Sequence, residues 1–105
     1  MGTYMIISGG SDGGQNIAID SFELQQDADG KKIIYVRRTA DSNSGQIYKQ
    51  IDKQDQQIKI CSGSQTFVIT KAVISNYQFS TDAEEDAKEY FQIRGSGISL
   101  ESSSS

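Results

Sequence analysis

The chain has 105 residues, of which 14 are acidic and 10 basic, so its formal net charge is −4. This length suits one domain with its own core rather than two. The basic residues are dispersed apart from Lys31–Lys32 and Arg37–Arg38, so no nucleic-acid-binding stripe is expected. The chain has no His and one Cys, which removes the commonest general base and excludes an internal disulfide. Composition therefore favours a binding or structural protein over an enzyme.

The ends of the chain carry no recognisable targeting signal. The longest uninterrupted apolar run, Tyr4–Ile7, is far shorter than the roughly 20 residues of a membrane helix, so no membrane insertion is expected. The first residues lack the basic start and apolar stretch of a signal peptide, which favours synthesis and folding in the cytoplasm. We expect residues 1–100 to form a single domain and residues 101–105, a Glu and four serines, to be a disordered tail or cloning remnant.

Short runs rich in Ile, Val, Tyr, Phe and Thr are separated by Gly, Asp and Ser clusters, which is typical of a mostly β domain. The predicted strands are Thr3–Ser8, Gln15–Gln25, Lys31–Arg38, a short strand around Ile58 and Ile60, a long or bent strand at Gln65–Ser80, and Ala87–Leu100. The Asp-Gly sequence in Asp27–Gly30 predicts a tight turn that makes a hairpin of the second and third strands. Residues 81–86 are predicted to form an acidic turn.

The second predicted strand changes its pattern part-way along. Ile17 and Ile19 lie on one face of a regular strand, whereas Phe22 and Leu24 fall on the other. A bulge or bend at Asp20–Ser21 would keep all four side chains in the core. The sequence therefore predicts an irregularity at that point.

One helix is predicted, over about residues 45–54. Asp41–Ser44 offers several N-cap residues, and Ile47, Tyr48 and Ile51 follow at helical spacing. The Gln and Lys residues on its other face are typical of a helix that lies on the outside of a sheet or barrel.

Several polar segments have both a chemical and a structural interpretation. The glycine-rich loop at residues 9–14 lacks the Gly-Lys-Ser/Thr ending of a phosphate loop, which favours a surface connection. Asp27, Asp29 and Gly30 resemble part of a calcium loop, but the closing Glu is missing, which favours a turn. Cys61 has no His to activate it, so we interpret it as a half-buried apolar residue.

The densest acidic cluster is Asp82, Glu84, Glu85 and Asp86 with Glu89. Such a cluster could bind a hard cation, or supply a pair of hydrolytic carboxylates. Adjacent charges in a loop usually point apart into water, so a solvated turn is favoured. No catalytic, cofactor-binding or metal-binding residue is assigned from the sequence, and no cofactor is expected.

Four segments, in order, resemble those of a known family. Ile17–Leu24 is similar to the Ile-x-Val-x-Ser-Phe-x-Trp strand of Hcp, the haemolysin-coregulated tube protein of type VI secretion systems. The others are Val36–Arg38 with Asp41 and Ser44 before Ile47 and Tyr48, then Ile69–Gln78, and the closing strand Glu89–Ser99. The chain departs from the family in having no Pro after Ser44 and in the short Gln25–Lys32 connection, which replaces a long loop that reaches towards an adjacent ring.

The resemblance implies a small antiparallel β-barrel with one flanking α-helix, as in phage tail-tube proteins, that forms hexameric rings stacked into a tube. Its partners would be further copies of the chain, sheath and spike proteins and secreted effectors. Such a subunit is cytoplasmic before firing and is then secreted through the apparatus without a signal peptide. It is not an enzyme. Long strands without proline also need edge protection, and Gln65–Ser80 has one charged residue, Lys71, so this strand is the predicted ring interface.

An alternative function is that of a small monomeric β-domain that binds a lipid or a carbohydrate. That function requires a concave aromatic site with convergent polar groups. The chain has no Trp, and its Tyr residues are spread along the sequence, which ranks this alternative below a tube subunit.

Overall fold

The computed structural model describes residues 2–8 and 16–102. This part of the chain contains eight strands and one helix. They are β1 (Thr3–Ser8), β2 (Asn16–Ile19), β3 (Ser21–Gln26), β4 (Lys32–Thr39), α1 (Ser44–Lys49), β5 (Gln56–Ser62), β6 (Gln65–Asp82), β7 (Glu85–Arg94) and β8 (Gly97–Ser102). The mostly β prediction is confirmed, and the glycine-rich loop at 9–14 lies outside the described residues.

The strands form two antiparallel sheets that share β6. The hydrogen-bonded order is β2-β1-β5-β6-β7-β4-β3, and β8 also pairs with β6. The closed barrel that the sequence analysis expected is not confirmed, because this path ends at β2 and β3. Across the seam between β2 and β4, the Arg38 side chain donates to the carbonyl of Ala18 at 3.0 Å, in place of a strand ladder.

The chain passes from one sheet to the other at three places. β2 ends at Ile19 and β3 begins at Ser21, with a bend at Asp20, so the predicted irregularity is confirmed, but Leu24 is 38% exposed and does not join the core as expected. Within β6 the change comes near Lys71, whose φ of 51° is left-handed. The third place is Gly95, between β7 and β8. The backbone here approaches β6 so closely that a Cβ on Gly95 would lie 2.6 Å from the carbonyl oxygen of Thr70.

The prediction of one long or bent strand near Gln65–Ser80 is confirmed by β6, which has 18 residues. Its early residues pair with β5 on one edge and β8 on the other, whereas its later residues pair with β7. Between Ser75 and Gln78 the pairing with β7 shifts register, and Asn76 within this bulge has a φ of 54°.

The helix α1 is shorter than the predicted 45–54, since it covers Ser44–Lys49. Ile51 leaves the helix to form an isolated bridge with Ile74, and the amide of Asp52 then donates to the Ile74 carbonyl at 2.9 Å. Backbone pairing with β6 thus replaces the last predicted helical turns. The N-cap position is Asn43, but its side chain makes no capping bond.

The core lies between the two sheets and beneath α1. It is built mainly from Ile side chains: Ile7, Ile17, Ile19, Ile34, Ile47, Ile58, Ile60, Ile69, Ile74 and Ile93, together with Met5, Val36, Ala72 and Phe91. Their alternation along each strand follows the two-residue period of the pleat. No helix in the described ranges is long and apolar enough to cross a membrane.

β8 reaches further than the expected end of the domain. Glu101 and Ser102 were assigned to the tail, yet they pair with Thr66 and Gln65 of β6. Residues 103–105 lie outside the part that the structure describes. β8 continues to Ser102 because the backbone of β6 is available to pair with it. The polar sequence at the end of the chain does not indicate this pairing.

Candidate functional site

The feature most relevant to assembly is an edge of β6 that other strands leave unpaired. From Ser75 to Asp82, β6 pairs with β7 on one side, and within residues 2–8 and 16–102 no other strand pairs with its second side. We call Ser75–Asp82 the β6 edge. An unpaired strand edge presents backbone donors and acceptors that a second chain can use.

The predicted ring interface over Gln65–Ser80 is therefore divided by the structure. Its first residues, from Gln65 to Thr70, lie between two strands of the chain itself, with β5 on the edge that continues into the β6 edge and β8 on the opposite edge. Its last residues belong to the β6 edge and are mostly exposed; Phe79, 53% exposed, is the large apolar side chain among them. An exposed aromatic side chain on an open strand edge is a feature of protein–protein contacts.

The β6 edge is held in place by a buried polar cluster. Arg38 of β4 lies directly opposite Glu89 of β7, and both side chains are fully buried and form an ion pair. Glu89 also accepts hydrogen bonds from the hydroxyls of Tyr77 in β6 and Ser44 in α1. The Arg38 guanidinium pairs in addition with Asp41, ahead of α1. We call these five residues the Arg38–Glu89 cluster.

Two members of the cluster, Tyr77 and Asp41, have shifted pKa values. Burial, together with the neighbouring Glu89 carboxylate, raises the pKa of Tyr77 well above its ordinary value, so the phenol remains a donor. Burial raises the pKa of Asp41, but hydrogen bonds from Arg38 and from the amide of Asn43 outweigh this, so its pKa is lowered overall. One buried carboxylate thus joins β4, β6, β7 and α1.

The structure separates the members of the acidic cluster seen in the sequence. Glu89 belongs to the buried ion pair, whereas Asp82, Glu84 and Asp86 are exposed around the β6–β7 turn. Within the described residues no group of His, Cys, Asp or Glu is arranged to hold a metal ion. Exposure of these three carboxylates agrees with solvation, but the turn itself covers residues 83–84 and not the predicted 81–86, because β6 and β7 stay paired as far as Asp82 and Glu85.

The other segments that were considered for chemistry have structural roles. Asp27 accepts bonds at its Oδ1 from the amides of Asp29 and Lys31, which closes the β3–β4 turn and makes the predicted hairpin. Cys61 is half-buried and accepts a hydrogen bond from Thr66 at 3.7 Å. Both structural interpretations are confirmed.

A shallow groove of about 460 Å³ lies on the outer face of the second sheet. Its lining includes half-buried Tyr35 and Tyr90 with the polar Arg37, Asn76 and Gln92. Two tyrosines beside polar groups are the kind of surface that a small ligand-binding domain uses, so the alternative function retains a physical basis.

Several solved structures have the same arrangement of strands. Hcp1 from Salmonella typhimurium aligns with a TM-score of 0.67 and 11% identity, over 99% of this chain and 88% of that one. The secreted protein Hcp3 from Pseudomonas aeruginosa aligns with a TM-score of 0.65 and 12% identity, over 99% of both chains. The fold is that of the Hcp proteins.

The Hcp fold extends to a second kind of apparatus. A chain of the sheath–tube complex of an extracellular contractile injection system, PVC, aligns with a TM-score of 0.64 and 13% identity, over 93% of this chain and 88% of that one. No protein-family model and no curated protein matches the sequence. The likeness is therefore one of fold, and the four segments quoted from the sequence lie within it.

The segments that carried the family resemblance also meet in space. Arg38, Asp41, Ser44, Tyr77 and Glu89 come from three of those four segments, and together they form the Arg38–Glu89 cluster. This cluster was not among the candidate sites that the sequence indicated. Strand alternation contained the signal, because it places Arg38 on the face of Ile34 and Val36, and Glu89 on the face of Phe91 and Ile93.

Proposed function

We propose that the chain is a structural tube subunit of a type VI secretion system or a related contractile injection apparatus, and not an enzyme. The observation that carries this proposal is the Hcp fold over 99% of both chains in the comparison with Hcp3. The open β6 edge supports it, because a tube subunit needs a surface that pairs with its neighbour.

In this proposal the subunits form closed rings, with six copies per ring as the family resemblance implies. A ring requires a heterologous contact, in which two different surfaces of the chain meet. The β6 edge supplies one surface. The outer edges of β2 and β3, which end the sheet path in the described part, are candidates for the other. The sheath, the spike and secreted effectors would be further partners, and the subunit would leave the cell through its own apparatus.

The test is the oligomeric state of the purified chain. Size-exclusion chromatography with light scattering, over a range of protein concentrations, should give particles with the mass of a ring, and electron micrographs should give ring-shaped projections. A strict monomer at high concentration would contradict the proposal.

The alternative function, a monomeric domain that binds a lipid or a carbohydrate, is favoured by the groove that Tyr35 and Tyr90 line. It predicts a monomer with a specific lipid or glycan ligand, and a loss of that binding in Tyr35→Ala and Tyr90→Ala. If the chain formed rings and bound no such ligand, this alternative function would be contradicted.

A further inference from the structure

The two ends of strand β7 carry opposite, uncompensated charge. At its first end, the β6–β7 turn exposes the carboxylates of Asp82, Glu84 and Asp86. None of them forms an ion pair within the described residues. The nearest strand lysine, Lys88, is already occupied by Asp20 at 3.1 Å and Thr39 at 2.7 Å. We call Asp82–Asp86 the acidic tip.

At the other end, a crevice of about 780 Å³ separates the β3–β4 turn from the β7–β8 turn. Its positive groups are Lys31, Lys32 and Arg94, and all three are exposed. Like the carboxylates of the acidic tip, they form no ion pair in the described part of the chain. Its negative groups are Asp27 and Asp29, and Asp27 is engaged in closing its own turn. We call this the basic crevice.

The acidic tip and the basic crevice of one chain cannot touch each other. They lie at opposite ends of β7, which has 10 residues and is therefore about 30 Å long at the usual rise of an antiparallel strand. A protein counterpart for either surface would therefore have to come from another molecule. The tip is a hairpin end and the crevice is a concave space between two turns, and their charges are opposite.

We propose that the acidic tip of one copy docks into the basic crevice of another copy, so that subunits associate head to tail along the direction of β7. This proposal rests on the proposed function and adds to it a contact between rings. The short Gln26–Lys32 connection favours it, because the turn leaves the crevice open instead of covering it. Contacts between exposed charges weaken as salt shortens their range, so the association should be salt-sensitive.

The experiment uses two charge-reversed chains, K31E/K32E and A83K/E84K/D86K. In the first chain both docking surfaces are negative, and in the second both are positive, so neither should associate beyond single rings. An equimolar mixture restores opposite charges at every contact. Sedimentation velocity in low salt should therefore give particles larger than one ring for the wild type and for the mixture, but not for either variant alone.

The matched control is K49E/K53E, which makes the same change in charge at exposed residues on and just after α1, outside the crevice. It should associate like the wild type. Salt at about 1 M, where the screening length is only about 3 Å, should return the wild type to single rings.

The possible outcomes separate the two proposals. Rings that never associate further, or variants that associate as well alone as in the mixture, would overturn the docking proposal and leave the ring proposal standing. A wild-type chain that stays monomeric would overturn both. Larger particles restored only by mixing would support head-to-tail docking.

Discussion

The buried negative charge of Glu89 is expected to contribute strongly to the stability of the fold. It is fully buried, pairs with buried Arg38 and accepts hydrogen bonds from Tyr77 and Ser44. In Glu89→Gln, Arg38 would be left without its buried counter-charge, although Asp41 would still contact it. Removal of one partner of a buried pair costs about 3–5 kcal/mol, and we expect a value near the lower limit. Urea unfolding of the variant measures the loss.

Glu84→Gln is the matched control for this substitution. Glu84 lies on the exposed acidic tip, so the same chemical change should alter the free energy of unfolding by about 0.5 kcal/mol or less. If Glu89→Gln and Glu84→Gln had the same free energy of unfolding, the negative charge of Glu89 would not contribute to stability.

Asp41 gives the stability of the fold a dependence on acid pH. Its pKa is lowered in the folded state, chiefly because hydrogen bonds from Arg38 and the Asn43 amide outweigh the effect of burial. A lowered pKa contributes stability above the ordinary value of about 3.9, and this contribution is lost as the pH falls through the folded value. The chain should therefore lose stability below about pH 4.

Asp41→Asn should flatten part of this acid decline. Asp20, whose pKa is lowered by Thr39 and Lys88 even though burial opposes this, accounts for a further part that the variant keeps. Unfolding midpoints measured from neutral pH down to about pH 3 test the effect. Asp52→Asn, at an exposed residue with a φ of 64° that Asn tolerates, is the control and should decline with the wild type.

At the scale of the elements, α1 depends on Ile47. The helix has 6 residues, too few to be stable alone, so the burial of Ile47 must hold it on the sheet. Ile47→Ala should cost about 2–4 kcal/mol. The helical spacing of the sequence places Ile51 on the same face as Ile47, but in the structure Ile51 is half-buried beyond the helix, so Ile51→Ala should cost less. A loss below about 0.5 kcal/mol for Ile47→Ala would mean that α1 is peripheral.

Gly95 is required by the close approach of the β7–β8 junction to β6. A Cβ at this position would lie 2.5 Å from Cγ2 of Ile69 and 2.6 Å from the oxygen of Thr70. Gly95→Ala should therefore force a backbone shift that costs about 1–3 kcal/mol. Gly97→Ala is the control, because no atom lies within 4 Å of its added Cβ. Thermal unfolding that did not distinguish the two variants would contradict this account.

The sequence predicts these elements well where the signal is local and poorly where it is distant. The bend at Asp20 follows from the change in face between Ile19 and Phe22, which neighbouring residues reveal. The end of α1 does not, because it is set by the pairing of Ile51 with Ile74. Glu101 is also placed by a distant contact, its pairing with Thr66, which its own neighbours in the sequence do not indicate. The Arg38–Glu89 pair could not be predicted either, because charged residues are usually assigned to the surface.

At the scale of the whole molecule, the described residues leave two kinds of strand edge unpaired: the ends of the sheet path at β2 and β3, and the β6 edge. Closure into a barrel could not be predicted from the strand pattern, because an open and a closed arrangement use the same alternation of residues. An open strand edge exposes unpaired backbone donors and acceptors, which proteins protect with charges, bulges or a partner. The chain's own β5 covers this edge of β6 as far as Ala72 and Ile51 bridges it at Ile74, but within the described residues no strand covers it from Ser75 onward.

This difference along β6 gives a pair of substitutions with opposite expected outcomes. Phe79→Lys places a charge on the β6 edge, where Phe79 is 53% exposed, and should weaken assembly while the monomer remains folded. Thr70→Glu places a charge on the part of β6 that lies between β5 and β8, so it should keep the wild-type oligomeric state. Light scattering measures the mass of each particle, and circular dichroism checks the fold. If both variants assembled like the wild type, a surface other than the β6 edge would form the subunit contact.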